Sequence, residues 1–339
     1  MTFNLDDSWI SKTKQSSMRQ LRRLPVVEEL FRVNRLIARG KHADGLPSLD
    51  PPMAGLFGKI VRDGIERLPI EELGVPFEAT LAAAHKHVET LRRGGGEPID
   101  KHSTHIATRD LVSTPEPYVF GLSPRVLDFV ERYIGMPVDY LGVDIKREKV
   151  NSAEDGVRLW HFDVEDARMV RFIVYLDDVD ESCGPFECIQ AAGSDEFRKV
   201  TRYVWGDRYS SSTVESLVTP ASRYKGVGSM HSVHVFDGVR LLHRAGLPTA
   251  RDRYSMTFSF ASKEAYFAFQ SARETQAAFV NRWGSMLDAR QRQAVAPPPG
   301  AATPRWADAL QVTTRVFLRR DLRTPEGQRG GSRAAANDS

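Results

Sequence analysis

The sequence predicts a mainly β protein with α additions, its strands forming a sandwich or barrel rather than a parallel α/β sheet. Three observations carry this. At 339 residues and 41% hydrophobic content, the chain is long enough for one large or two ordinary domains with a packed core. Its first third spaces apolar residues at the helical period. From Pro137 onward the texture changes to short runs rich in β-branched and aromatic residues, with turn residues between them at all-β intervals.

The elements follow in order. "VVEELFRVNRLIARG" (26–40) sets Val27, Leu30, Phe31 and Ile37 on one side of a helix, with Gly40 as its stop. "FEATLAAAHKHVETLRRGGG" (77–96) repeats the pattern and ends in three glycines, and "SPRVLDFVERYIG" (123–135) gives a further helix. Strands are expected in "VDYLGVDI" (138–145), "MVRFIVYL" (169–176), "GPFECI" (184–189), "SVHVF" (232–236) and "RYSMTFSF" (253–260). A last helix is expected through "EAYFAFQSARETQAAFVNRW" (264–283). Beyond it "APPPGAATP" leads to a basic, Gly- and Ala-rich tail, and the end of that tail is expected to be disordered. The expected organisation is therefore an N-terminal helical region packing on the core (1–136), the core with its following helix (137–290) and a C-terminal extension (291–339).

Composition narrows the function classes. With 47 basic and 44 acidic residues the formal charge is +3, which gives no reason to expect nucleic acid as a partner. Lys12 to Lys41 holds nine Lys or Arg against Glu28 and Glu29 alone, which reads as a solvated helix face or as a surface for an anionic partner or membrane. No apolar run approaches the roughly 20 residues of a membrane span, and "MTFNLDDSWISKTKQ" is too polar for a signal peptide. Cys183 and Cys188 supply no disulfide framework and fit a reducing, cytoplasmic setting; nothing around them marks a reactive thiol.

"RLWHFDVEDARM" (158–169) is the first chemical motif. Strand side chains alternate, so His161 and Asp163 project from one face, close enough to share a divalent ion, while Phe162 packs on the other. Two ligands are not a site, and a third has to come from elsewhere. His42, His85, His87, His102 and His105 lie in the helical region with no acidic partner in sequence and read as solvated. His231 and His234, in "GSMHSVHVFDG", stay open as ligands. His243 ends an apolar run just before a turn and a strongly alternating strand. In that strand Arg253, Ser255, Thr257 and Ser259 share one face, and Tyr254, Met256, Phe258 and Phe260 share the other. A polar inward face in a small barrel points to a binding cavity. A buried arginine on it needs a counter-charge, either a carboxylate ligand that Ser255 could also bind or a salt bridge to Asp237 or Asp252.

Two imidazoles and one carboxylate on a β scaffold leave half of an octahedron open. At this point "WHFD", "VFDGVRLLHRAG" and "RDRYSMTF" resemble the iron(II)- and 2-oxoglutarate-dependent dioxygenases, specifically the phytanoyl-CoA dioxygenase-like branch. The resemblance covers about Pro137 to Ser262 in its motifs. It implies a double-stranded β-helix (jelly-roll) core with N-terminal supporting helices. It implies His161, Asp163 and His243 as ligands of Fe(II), 2-oxoglutarate and O2 as co-substrates, and Arg253 with Ser255 holding the far carboxylate of 2-oxoglutarate. Arg251 competes for that last role if the strand begins early. The implied activity is hydroxylation of a small-molecule substrate with release of succinate and CO2. Relatives that halogenate replace the carboxylate ligand by a small residue, so Asp163 favours hydroxylation, desaturation or ring closure. The chain departs from the family where "AAGSDEF" has Asp195 in place of a frequent histidine that is not a ligand.

Other candidates are secondary. Glu165 and Asp166 read as supporting or exposed loop acids. Arg171 and Tyr175 share a face and could touch 2-oxoglutarate or substrate, or be a salt-bridged arginine and a core tyrosine. Trp160 is expected to pack, and Lys146 or Arg147 could reach an acidic substrate. The stretch from Ser194 to Gly228, with Tyr203, Trp205, Tyr209 and several arginines, is expected as a lid suited to a ring-bearing or anionic substrate. Rival functions are a cupin-like metal enzyme without 2-oxoglutarate and a non-catalytic β-barrel binding protein. The oligomeric state is open.

Overall fold

A computed structural model of the chain describes residues 25–151, 153–266 and 270–297. Two antiparallel sheets hold the core. The larger has the strand order β1-β10-β6-β12-β4-β3-β2, with β1 (Ile65–Pro69), β2 (Glu97–Pro98), β3 (Ser103–His105), β4 (Val138–Glu148), β6 (Val170–Tyr175), β10 (Ser232–Asp237) and β12 (Arg253–Ser262). The smaller has the order β8-β5-β11-β7-β9, with β5 (Trp160–His161), β7 (Phe186–Ile189), β8 (Arg208–Tyr209), β9 (Arg223–Gly226) and β11 (His243–Ala245). Along the chain β4, β5, β6 and β7 alternate between the two sheets, and β9, β10, β11 and β12 alternate again.

The period-2 pattern of "RYSMTFSF" decides which side of the larger sheet faces what. Tyr254, Met256, Phe258 and Phe260 pack with Phe172, Val174, Val233 and Val235 into the main apolar core. Helices cover that side: α3 (Glu78–Arg92), α5 (Pro115–Gly121), α6 (Pro124–Ile134), α9 (Gln270–Trp283) and α10 (Ala289–Val295). The stacked pair Tyr118–Phe279 joins α5 to α9, and the edge-on pair Phe129–Phe172 locks α6 to the sheet. Arg253, Ser255 and Thr257 instead line a cavity towards the smaller sheet. Between β4 and β12 the register shifts at Ser259/Phe260, where Gly142 takes a φ of 104° that a side chain would disfavour.

Several expectations are corrected. The N-terminal region is not purely helical: besides α1 (Pro25–His42), α2 (Pro51–Asp63), α3, the short α4 (Thr108–Leu111), α5 and α6, it supplies β1, β2 and β3 to the larger sheet. Those strands are short, and the pairing of β1 with β10, of β3 with β4 and of β2 with β3, rather than local pattern, makes them strands. Gly40 does not stop α1, which runs to His42, and α1 buries Arg35 and Ala38 while Leu30, Leu36 and Ile37 are exposed. The helix expected from residue 264 is instead preceded by β12 to Ser262 and a turn, with α9 beginning at Gln270. Residues 194–228 are not one loop but carry α7 (Ala191–Thr201), β8, α8 (Ser211–Leu217) and β9. The expected disorder of the tail and most of the Lys12–Lys41 cluster lie outside the described residues. Among the described residues no helix is long and apolar enough to cross a membrane.

Candidate metal centre

His161 closes the two-residue strand β5, and His243 opens β11 directly opposite it in the antiparallel register. The pairing puts both rings on the same face, with centroids 4.5 Å apart. Asp163 lies just beyond β5, where its backbone N–H donates to Gly238 O at 2.9 Å. Asp163 Oδ1 is 3.7 Å from His243 Nε2 and 4.0 Å from His161 Nε2. One ligand atom from each residue falls within 4.8 Å of the others, and among the described residues this is the metal-competent cluster.

The surroundings make each group ready to bind a cation. His161 Nδ1 donates to Leu159 O at 2.8 Å and His243 Nδ1 to Leu241 O at 2.9 Å, each to the carbonyl two residues earlier. That bond fixes the tautomer and leaves the Nε2 lone pair facing the cluster. Burial pushes the His161 imidazole down to about 3 and lowers that of His243, so both rings are neutral at pH 7. Burial works against a charge on Asp163, but Arg171 foremost outweighs it and holds the carboxyl below its usual range. Arg171 grips Asp163 Oδ2 from Nε at 3.0 Å and Nη2 at 2.9 Å, which leaves Oδ1 towards the histidines. Gly238 makes this possible, because a Cβ there would sit 2.1 Å from Asp163 Oδ2.

A cavity of about 250 Å³ runs from this cluster between the sheets, with Phe186, Phe236 and Ile173 as apolar walls. Lys146, Arg253, Ser255 and Thr257 also line it. Arg253 is 4% exposed and lies opposite Glu148 in register. Its Nη1 has no hydrogen-bond partner. Glu148 is fully buried; burial opposes its charge, but Lys146, Arg253 and Arg158 bring its carboxyl down to about 2. Lys146 Nζ is 2.8 Å from Glu148 Oε1 and Arg158 Nη2 is 3.8 Å from Oε2. Three cations thus share one carboxylate, and the excess positive charge includes an unpartnered N–H of Arg253 beside the polar side chains of Ser255 and Thr257. An anion with a carboxylate end fits that donor set.

The structure sorts the remaining candidates. Arg251 is exposed and pairs with Asp180 Oδ2 at 2.7 Å, away from the cavity. The alternative salt bridges for Arg253 are taken, since Asp252 binds Arg147 at 2.5 Å and Asp237 accepts from Tyr133 at 2.9 Å. Tyr175 donates to Gly226 O at 2.6 Å inside the core, and Trp160 is buried. Asp166 is buried and paired with Arg35 at 3.1 Å rather than exposed, and Glu165 lines the cavity. His102 and His105 are not solvated without partners: His102 is buried against Asp155 and Asn151, and His105 binds Asp144 at 2.8 Å. His234 is buried against Tyr224, and His231 pairs with His85. Both cysteines are buried, and burial pushes the Cys188 thiol well up. Glu148, Arg158 and Gly238 escaped the sequence reading; only strand register and a close backbone approach reveal them.

No protein-family model matches the chain, and no curated protein matches it. Solved structures do resemble it. EctD from S. alaskensis in its apoform is 16% identical, the match covering 66% of this chain and 81% of EctD at a TM-score of 0.47. HygX from Streptomyces hygroscopicus with nickel and 2-oxoglutarate bound is 14% identical over 63% of this chain and 88% of HygX, at a TM-score of 0.43. SnoN, a non-heme alpha ketoglutarate dependent epimerase from nogalamycin biosynthesis, is 17% identical over 64% of this chain and 85% of SnoN, at a TM-score of 0.41. Similarities of this extent leave the chemistry of the site to be read from its own residues.

Proposed function

We propose that the chain is an iron(II)- and 2-oxoglutarate-dependent oxygenase, built on a double-stranded β-helix core, that hydroxylates a C–H bond of a small molecule. The observation that carries this is the pairing of two features in one cavity. One end gathers two neutral imidazoles and a carboxylate with its Oδ1 free, and the other offers a buried Arg253 whose Nη1 has no hydrogen-bond partner. The alternation of β4 to β7 and of β9 to β12 between the sheets supports the core assignment.

His161 Nε2, Asp163 Oδ1 and His243 Nε2 would hold the metal, a donor set suited to iron(II) with half its positions open. Bound there with 2-oxoglutarate and O2, iron supplies the oxidising power for C–H hydroxylation, with succinate and CO2 released. The protein's own residues position and exclude. Arg171 keeps Asp163 ionised and single-sided, Arg253 and Ser255 orient the far carboxylate of 2-oxoglutarate, and Phe186 and Phe236 keep the cavity wall dry.

Succinate release from 2-oxoglutarate under air, with added iron(II), tests the reading. Arg253→Met is expected to weaken 2-oxoglutarate binding about 30-fold or more, since a buried charge pair loses one partner. A variant that binds and turns over 2-oxoglutarate like the parent would overturn the role given to Arg253, and a parent that binds iron but neither binds nor turns over 2-oxoglutarate would point to metal chemistry without this co-substrate. No iron binding at all would leave a β-barrel that only binds.

A further inference from the structure

A second cavity, about 720 Å³ in volume, opens on the other side of Asp163 between α1, the turn after β5 and the segment following α7. Six cationic side chains line it: Arg32, Arg35 and Arg39 from α1, and Arg198, Lys199 and Arg202 at the end of α7. Asp163 and Asp166 are the acids in its wall, and both are committed. Asp163 is gripped by Arg171, and Asp166 by Arg35, which also reaches Ser262 Oγ and Glu264 O. Arg32 has an exposed partner in Glu29. Among the described residues no carboxylate pairs with Arg39, Lys199 or Arg202. Arg39 is half-buried and its guanidinium is pushed down, by burial first and then by Arg168 and Arg35, the direction expected where positive charges crowd.

Planar groups back the same wall, with Phe162 buried behind Arg198. The Arg198 guanidinium lies 3.7 Å over the Phe162 ring and 5.1 Å from the Tyr203 ring, which is edge-on to Phe162 at 4.9 Å. Tyr203 and Trp205 both face the cavity. Among the described residues, this concave site sets three cations that no carboxylate pairs, Arg39 on one rim and Lys199 and Arg202 on the other, on either side of Tyr203 and Trp205. We propose that this cleft binds the substrate, and that the substrate is a small anion carrying phosphate or carboxylate groups on a ring-bearing body. That the ligand is a substrate rests on the oxygenase reading; that the cleft takes such an anion does not.

The test uses the full-length protein and three probes with one ring system: 1-naphthyl phosphate, 1-naphthoate and 1-naphthol. Binding is followed by calorimetry and by quenching of tryptophan fluorescence at two salt concentrations. The phosphate or the carboxylate is expected to bind at least tenfold more tightly than naphthol, and more weakly at high salt. The order of the two anions tells which group the cleft prefers. Lys199 and Arg202 are exposed, so the double variant Lys199→Gln/Arg202→Gln is expected to fold and to lose about tenfold in anion affinity, with naphthol unchanged. Arg253→Met should keep the anion affinity, which places the probe outside the inner cavity. Equal binding of naphthol and the anions, an unaltered double variant, or loss in Arg253→Met overturns the proposal. Binding of 2-oxoglutarate, measured on the same preparations, separates the two claims. Anion binding without 2-oxoglutarate binding sinks the oxygenase reading alone, and the reverse result sinks the cleft.

Discussion

Gly238→Ala adds one methyl group at the most crowded point of the centre. The new Cβ would lie 2.1 Å from Asp163 Oδ2 and 2.9 Å from its Cγ, against the 3.0 Å below which real Cβ atoms are not found. Something must therefore move by about 0.9 Å. The backbone of residue 238 is tied on both sides, its N–H donating to Met169 O at 3.2 Å and its carbonyl accepting from Asp163 N at 2.9 Å. The carboxylate gives way instead, out of its 2.9–3.0 Å contacts with Arg171. Overpacking of this kind costs about 1–3 kcal/mol of stability. Loss of the outer partner of a ligand lowers metal affinity about 10- to 100-fold, roughly 1.4–2.7 kcal/mol. Anaerobic calorimetry with iron(II), or with manganese(II) as a redox-inert substitute, reads the affinity, and thermal unfolding reads the stability. Gly58→Ala is the control: nothing lies within 4 Å of its Cβ position in α2, so it should be neutral or stabilising by up to about 1 kcal/mol. If Gly238→Ala binds metal within twofold of the parent and unfolds at the same temperature, the assigned geometry of Asp163 is wrong.

Two further outcomes follow from the electrostatics. Glu148→Gln removes the buried carboxylate shared by Lys146, Arg158 and Arg253 and should cost about 3–5 kcal/mol at neutral pH by urea unfolding. Because the folded-state value of Glu148 is depressed to about 2 from 4.5, its contribution is complete above pH 4.5 and lost as pH falls towards 2, so parent and variant should converge over that interval. His231→Asn breaks the His85–His231 contact, in which the two Nε2 atoms are 2.9 Å apart. Burial first and His85 second lower the His231 imidazole from its usual 6.5, so its contribution holds above pH 6.5 and fades as pH falls below it. Asparagine tolerates the positive φ of 72° there, so the variant should fold and lose stability less steeply than the parent below pH 6.5 in urea titrations.

Features that depend on period and residue type are legible along the chain before it folds. Alternation in "RYSMTFSF" fixed a polar and an apolar face for β12 before any partner was known, because strand side chains point to opposite sides whatever the strand pairs with. The H-x-D spacing put His161 and Asp163 on one side of the chain, and the helical period marked α3 and α6. Which distant groups meet depends on long-range pairing. His243 faces His161 only through the β5–β11 pairing, and Glu148 comes to Arg253 only through the β4–β12 register. In the N-terminal region β1 and β3 exist because β10 and β4 offered them edges, β2 because β3 then did, and His102 is buried because Asp155 folds onto it. Local pattern encodes the face a residue presents; long-range register, which no short window of sequence contains, decides what stands across from that face.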